Sequence, residues 1–137
     1  MKLVIMESPY AGKTPEEIVR NVDYARRALR DSLLRGEAPI ASHLLYTQPG
    51  VLRDDMPTER RNGIKAGLAW SKVAHAAVIY TDLGITPGME QGIRRHQAEG
   101  ITIEYRQIGA TACDTCAQAD KTCPVYPQDW QSCGQYQ

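Results

Sequence analysis

The sequence predicts a parallel, doubly wound α/β sheet flanked by helices. Two observations carry this. Short apolar runs alternate with longer stretches that show helix-start signals and one apolar face, in the order β-α-β-α-β-α-β. Two of the runs, Lys2-Leu3-Val4-Ile5-Met6 and Ala76-Ala77-Val78-Ile79-Tyr80, are almost continuously apolar, the pattern of parallel strands buried on both faces. Parallel strands joined through helices imply right-handed crossovers.

Taken in order, the first strand (2–6) leads into the loop Glu7-Ser8-Pro9-Tyr10-Ala11-Gly12-Lys13, punctuated by Pro9 and Gly12. Thr14-Pro15-Glu16-Glu17 starts the first helix: Thr14 caps it, Pro15 suits the first helical position, and Glu17 completes a capping box. Ile18, Val22, Ala25, Leu29 and Leu33 fall at helical spacing and form its expected inward face, and the helix ends before Gly36. Residues 38–42 read as a short second strand leading to His43, and residues 51–56 as a loop carrying Arg53, Asp54 and Asp55. Pro57-Thr58-Glu59 opens a second helix, with Ile64, Leu68 and Val73 expected inside. Residues 74–80 form the third strand, 88–99 the third helix, closed by Gly100, and 101–105 an alternating fourth strand ending near Arg106. No internal repeat or low-complexity segment interrupts this order.

The 137 residues are the length of one domain, and a 42% hydrophobic content supplies one core. No apolar run approaches the ~20 residues of a membrane span. The start MKLVIMESPY has too short an apolar run, followed at once by Glu7, to be a signal peptide, so a cytoplasmic protein is expected. Sixteen basic residues balance 16 acidic ones. That gives no support to binding along duplex nucleic acid, which needs a basic surface, but leaves room for a small nucleotide.

All four cysteines, Cys113, Cys116, Cys123 and Cys133, lie in the last 25 residues. A disulfide framework running through a secreted fold would not be so confined. The chain therefore divides into an α/β domain, 1–110, and a Cys-rich tail, 111–137. The spacing C-x2-C-x6-C-x9-C can close a tetrahedral, structural zinc site, although only one C-x2-C pair is present. Free thiols, or disulfides formed on handling, are the rival readings.

The candidate chemistry gathers where doubly wound folds bind ligands, at the carboxyl ends of strands. The third strand runs into the turn Thr81-Asp82-Leu83-Gly84-Ile85-Thr86-Pro87-Gly88 and then a helix, placing Asp82 and Glu90 eight residues apart, with Thr86 and Gly88 at the helix start. Carboxylates so placed can act as nucleophile, general acid or acceptor for a sugar hydroxyl, and cleaving a glycosidic bond usually takes two. The plainer reading of Glu90 is an acid complementing the helix dipole, worth ~0.3–1 kcal/mol. The first loop, with Ser8, Tyr10 and Gly12, matches neither G-x-G-x-x-G nor a P-loop, since position 7 is Glu where the latter needs Gly. It is either a ligand loop or an ordinary turn. His43 is either a structural imidazole or part of the site. Arg53, Asp54, Asp55 and Arg60 form either a solvated face or a loop that closes over a ligand.

The combination Ser8-Pro9-Tyr10, Asn21-Val22-x-x-Ala25, Pro39-Ile40-Ala41-Ser42-His43-Leu44, Asp55-x-Pro57-x-Glu59-Arg60 and Thr86-x-Gly88-Met89 resembles the nucleoside 2-deoxyribosyltransferase-like superfamily, in particular a small bacterial and phage branch of it. The resemblance covers residues 1–108 and leaves out the Cys tail. It implies a Rossmann-like parallel sheet of four to five strands, usually in homo-oligomers, and cleavage or exchange of the N-glycosidic bond of a nucleoside or nucleoside monophosphate, with no catalytic cofactor. It implies Glu90 as nucleophile, Asp82 as acidic helper, Tyr10 as the orienting group of the first loop, and Ser8, Gly12, His43, Thr86 and Gly88 as substrate contacts.

One departure stands out. The closer branch often reads Gly-Met-x-x-Glu, whereas here Gly88-Met89 is followed by Glu90-Gln91 and then Gly92. Two residues along a helix turn a side chain by about 200°. Either Glu90-x-Gly92 is the superfamily's E-x-G in a shifted register, or the helix carries no nucleophile and the protein holds a nucleotide without cleaving it. Glycosyl transfer through Glu90 requires that this acid face the cavity.

Overall fold

The computed structural model describes residues 1–108. The elements are β1 (Lys2–Glu7), α1 (Pro15–Leu34), β2 (Glu37–Ile40), α2 (Ser42–Leu45), α3 (Pro57–Ala69), a 3-10 turn (Trp70–Lys72), β3 (Ala76–Tyr80), α4 (Pro87–Ala98) and β4 (Thr102–Arg106). The strands form one parallel sheet in the order β2-β1-β3-β4. Val4 lies opposite Ala76, and Ala76 opposite Thr102. The expected parallel α/β fold is present with four strands, and no fifth occurs among the described residues. The Cys-rich tail and its four cysteines lie outside them.

The apolar runs bury as their composition demands. All five residues of β3 have no solvent exposure, and Val4, Ile5 and Met6 of β1 are exposed by 2% or less. Each fully buried Val, Ile or Met side chain contributes about 1.5–3 kcal/mol in transfer from water. Pro39 sits on β2, an edge strand, where its missing N–H breaks no ladder between two neighbours. On α4 the buried residues are Met89, Gly92, Ile93 and His96, one helical face.

The inward face of α1 differs from the apolar stripe. Asn21, Tyr24, Ala25, Ala28 and Ser32 are buried, whereas Leu33 is 56% exposed. The small residues let the helix approach the sheet, and the buried polar ones have partners. Asn21 Nδ2 donates to the carbonyls of Tyr10 and Ala11 at 3.1 and 3.3 Å, and Ser32 Oγ donates to Glu37 Oε1 at 2.8 Å. Val73 is likewise outside, following the 3-10 turn that ends the second long crossover helix. At the start of α1, Thr14 Oγ1 caps Glu17 N–H at 3.2 Å, while the Glu17 carboxylate accepts from Lys13 N–H rather than from Thr14. The cap forms, displaced by one residue from the expected box.

Candidate active site

The chain passes from β1 to β2 on one side of the sheet, and β3 lies on the other. The loops following β1 and β3 therefore part, and a cleft opens between them at the carboxyl ends of the strands, as in other open α/β sheets. Its volume is about 890 Å³, open mouth included. Five of the residues expected at the site line it: Ser8, Tyr10, His43, Thr86 and Gly88. Ser8, buried at the end of β1, shares a 2.7 Å hydrogen bond between its Oγ and His43 Nε2. Burial pushes the His43 imidazole below its usual value, opposed in part by the charge of Glu7, so the ring is neutral at pH 7. Tyr10 is held by Asn21 through its carbonyl. Thr86 is the N-cap of α4, its Oγ1 accepting from Met89 N–H at 3.3 Å.

Three expected residues are not brought to the cleft. Glu90 sits in the first turn of α4 with its side chain 57% exposed and 4.0 Å from Arg94. The face of α4 turned inward carries Gly92, and Glu90 is about 200° around the helix from it. Asp82 is held by α1 instead: Tyr24 Oη donates to its carboxylate at 2.5 Å, and Asp82 N–H donates back to Tyr24 Oη at 2.9 Å. Burial and the Asp82 carboxylate push the Tyr24 hydroxyl above the usual phenol range, so it remains a donor. Gly12 is a close-packing glycine: a Cβ there would lie 2.6 Å from Glu17 Cβ and 3.1 Å from Ile18 N, at the start of α1.

The acid that lines the cleft at the strand ends is Glu7, the last residue of β1. Its Oε1 is 2.7 Å from His96 Nε2, and its side chain is 17% exposed. A Cβ at Gly92 would lie 2.7 Å from that same Oε1, so the glycine on α4 makes room for the carboxylate. Behind His96, its Nδ1 is 2.7 Å from Ser71 Oγ, and both residues are buried. Across the cleft, Arg60 and Asp54 pair, with Glu59 beside them on the wall. Arg53 instead pairs with Asp55 in solvent at 2.9 Å, each side chain 69% exposed.

Residues 2–106 match the family model described as "Domain of unknown function (DUF7768)". The chain belongs to the DUF7768 family. No curated protein sequence matches it. A solved structure of the 2-deoxyribosyltransferase from the psychrotolerant bacterium Bacillus psychrosaccharolyticus is similar, with a TM-score of 0.54 and 19% sequence identity over 77% of this chain and 72% of that one. At that identity the likeness is one of fold.

In this DUF7768 chain the residues overlooked in the sequence are Glu7 on the cleft wall and, behind it, His96 and Ser71, whereas Arg60 and Asp54 of the candidate closing loop do line the cleft. Two signals in the sequence pointed to Glu7 and His96, and none to Ser71: an acid closing a buried strand directly before Ser8-Pro9, and a glycine with a histidine four residues on, hence on one helix face. Among the described residues no group of three or more His, Cys, Asp or Glu is placed to hold a metal ion, and no helix is long and apolar enough to cross a membrane.

Proposed function

We propose that the cleft binds a small nucleoside and that the chain cleaves or transfers its N-glycosidic bond, with Glu7 as the nucleophilic acid. The observation that carries this reading is the Glu7 carboxylate on the cleft wall, at the strand ends of a fold shared with a 2-deoxyribosyltransferase. In the mechanism, a Glu7 oxygen bonds to C1′ as the C1′–N bond breaks and its electron pair leaves with the base. The Ser8–His43 pair, neutral and in contact with the cleft, hydrogen-bonds the departing base, which takes its proton from solvent water at the open mouth of the cleft. Water, or a second base, then attacks C1′, and the ester bond returns its electron pair to the Glu7 carboxylate. Water delivers free sugar and a proton; a second base delivers a new nucleoside.

The charge of the cleft favours an uncharged nucleoside over its monophosphate. Among the described residues Glu7, Asp54 and Glu59 line it against one guanidinium, that of Arg60, which Asp54 already pairs. A phosphate dianion would meet an excess of like charge in a partly desolvated site.

The test is nucleobase release from a panel of deoxynucleosides, ribonucleosides and their monophosphates, followed by chromatography. Glu7→Gln is expected to lose on the order of 10³-fold or more of the rate. Unchanged release in Glu7→Gln overturns the reading. The displacement of Glu90 from the cleft favours a second reading, a protein that holds the ligand without cleaving it. Tight calorimetric binding of a panel member with no product would establish that one instead.

A further inference from the structure

The glycosyl-transfer reading uses the Glu7 carboxylate but leaves two buried groups behind it without a task. Glu7 Oε1, His96 Nε2, His96 Nδ1 and Ser71 Oγ form one chain with two 2.7 Å hydrogen bonds. It joins the end of β1, the inner face of α4 and the 3-10 turn after α3. His96 has no solvent exposure and Ser71 only 1%, so no bulk water competes for these bonds.

We infer that His96 is a positioning residue that ties Glu7 Oε1 and leaves Oε2 as the oxygen that attacks the sugar, with Ser71 fixing the tautomer of the ring. This inference rests on the proposed role of Glu7. An ionised carboxylate only accepts, so in a neutral ring the proton is on Nε2. Nδ1 is then a bare acceptor, and the Ser71 hydroxyl is the donor that satisfies it. The second carboxylate oxygen, Oε2, makes no hydrogen bond among the described residues.

The chain also persists through the proposed reaction. Once Oε2 bonds to C1′, Oε1 becomes an ester carbonyl oxygen, which still accepts from Nε2–H. No proton has to move along the chain at any step, so the carboxylate is held in one orientation before and after bond formation. Gly92 lies one helical turn before His96 and contributes only absence of bulk, which lets the tied carboxylate sit against the helix.

The test uses the full-length protein with two readouts. Long-range 1H–15N NMR of the imidazole is expected to show His96 as the Nε2–H tautomer in the unmodified protein, and a mixture of tautomers in Ser71→Ala. Kinetics on the most active panel substrate are expected to show His96→Asn losing on the order of tenfold or more in kcat with KM within about twofold. His96→Gln, whose longer amide can place an N–H near the Nε2 position, recovers at least half of the lost rate on a logarithmic scale. An Nδ1–H tautomer in the unmodified protein, full kcat in His96→Asn, or equal rates in the Asn and Gln variants would each overturn the inference. If neither His96 variant folds, Ser71→Ala decides: unchanged tautomer and unchanged kcat sink the proposal. An unmodified protein with the Nε2–H tautomer but no base release upholds the hydrogen-bond assignment and removes the glycosyl-transfer reading instead.

Discussion

The carboxylate of Glu7 occupies the room that a side chain at Gly92 would need. A Cβ at Gly92 would lie 2.7 Å from Glu7 Oε1, 3.0 Å from Cδ and 3.3 Å from Oε2. The neighbour that must give way is the far end of a flexible side chain rather than backbone. Gly92→Ala is therefore expected to be mildly destabilising, since the helix-interior alanine gains up to about 1 kcal/mol over glycine while a buried His96 N–H left without its acceptor costs about 1–3 kcal/mol. Base release should fall on the order of tenfold to a hundredfold, because the displaced carboxylate loses its bond to His96 and its aim. Thermal melting beside the release assay checks this, and unaltered release would show that the carboxylate position does not matter.

Glu90 gives the opposite expectation. Its carboxylate is exposed, it pairs with Arg94 at 4.0 Å, and it lies in the first turn of α4. The exposed pair and the helix dipole together are worth at most about 1 kcal/mol. Glu90→Ala should leave base release within about twofold, while Glu7→Gln removes it. A large loss of rate in Glu90→Ala at unchanged melting temperature would return Glu90 to the mechanism.

The positions of these two acids show what the sequence reveals and what it conceals. Strand burial follows from composition, so the sheet at 2–6 and 76–80 and a cleft at the strand ends were legible. Ser8, Tyr10, His43, Thr86 and Gly88 line the cleft because strand ends and a helix start place them there. The facing acid was missed because which side of α4 turns inward is decided by packing. Met89, Gly92, Ile93 and His96 form that side, and Glu90 falls outside it. The stripe on α1 misled for a related reason: Asn21 and Ser32 are buried because each has a partner outside the helix, in the Tyr10 loop and at Glu37, which spacing within the helix does not show.

His43 sets a pH dependence of stability. Burial holds its folded-state value below the 6.5 of an ordinary imidazole. Above pH 6.5 both folded and unfolded forms are neutral there, and stability is at its full value. As pH falls below 6.5 the unfolded chain binds a proton that the folded chain does not, so stability declines by at most about 1.4 kcal/mol per pH unit for this one group. The decline levels off once the folded ring also protonates. Urea unfolding between pH 7.5 and 5.5, run on His43→Gln in parallel, is expected to show about a shallower slope in the variant. Identical slopes would mean that His43 does not carry the dependence.

Away from the cleft, Arg106 at the end of β4 grips Glu37 at the start of β2 through two bonds of 2.6 and 2.7 Å, with both side chains only 8% exposed. Glu104 accepts from the same guanidinium at 2.6 Å, and Ser32 donates to Glu37. The Arg106 hydrogen bonds hold the Glu37 carboxyl below its usual 4.5, so the pair contributes stability above that pH and loses it as the carboxyl is protonated below it. Arg106→Met strands a buried carboxylate and should cost about 3–5 kcal/mol at pH 7. Adding Glu37→Gln removes the stranded charge while keeping an acceptor for Ser32, so the double variant should recover a substantial part of that loss. The single variant should also flatten the acid limb of stability, since Glu37 then gains nothing from ionising. A double variant as unstable as Arg106→Met alone would show that the cost comes from lost packing of the arginine stem rather than from an unpaired charge.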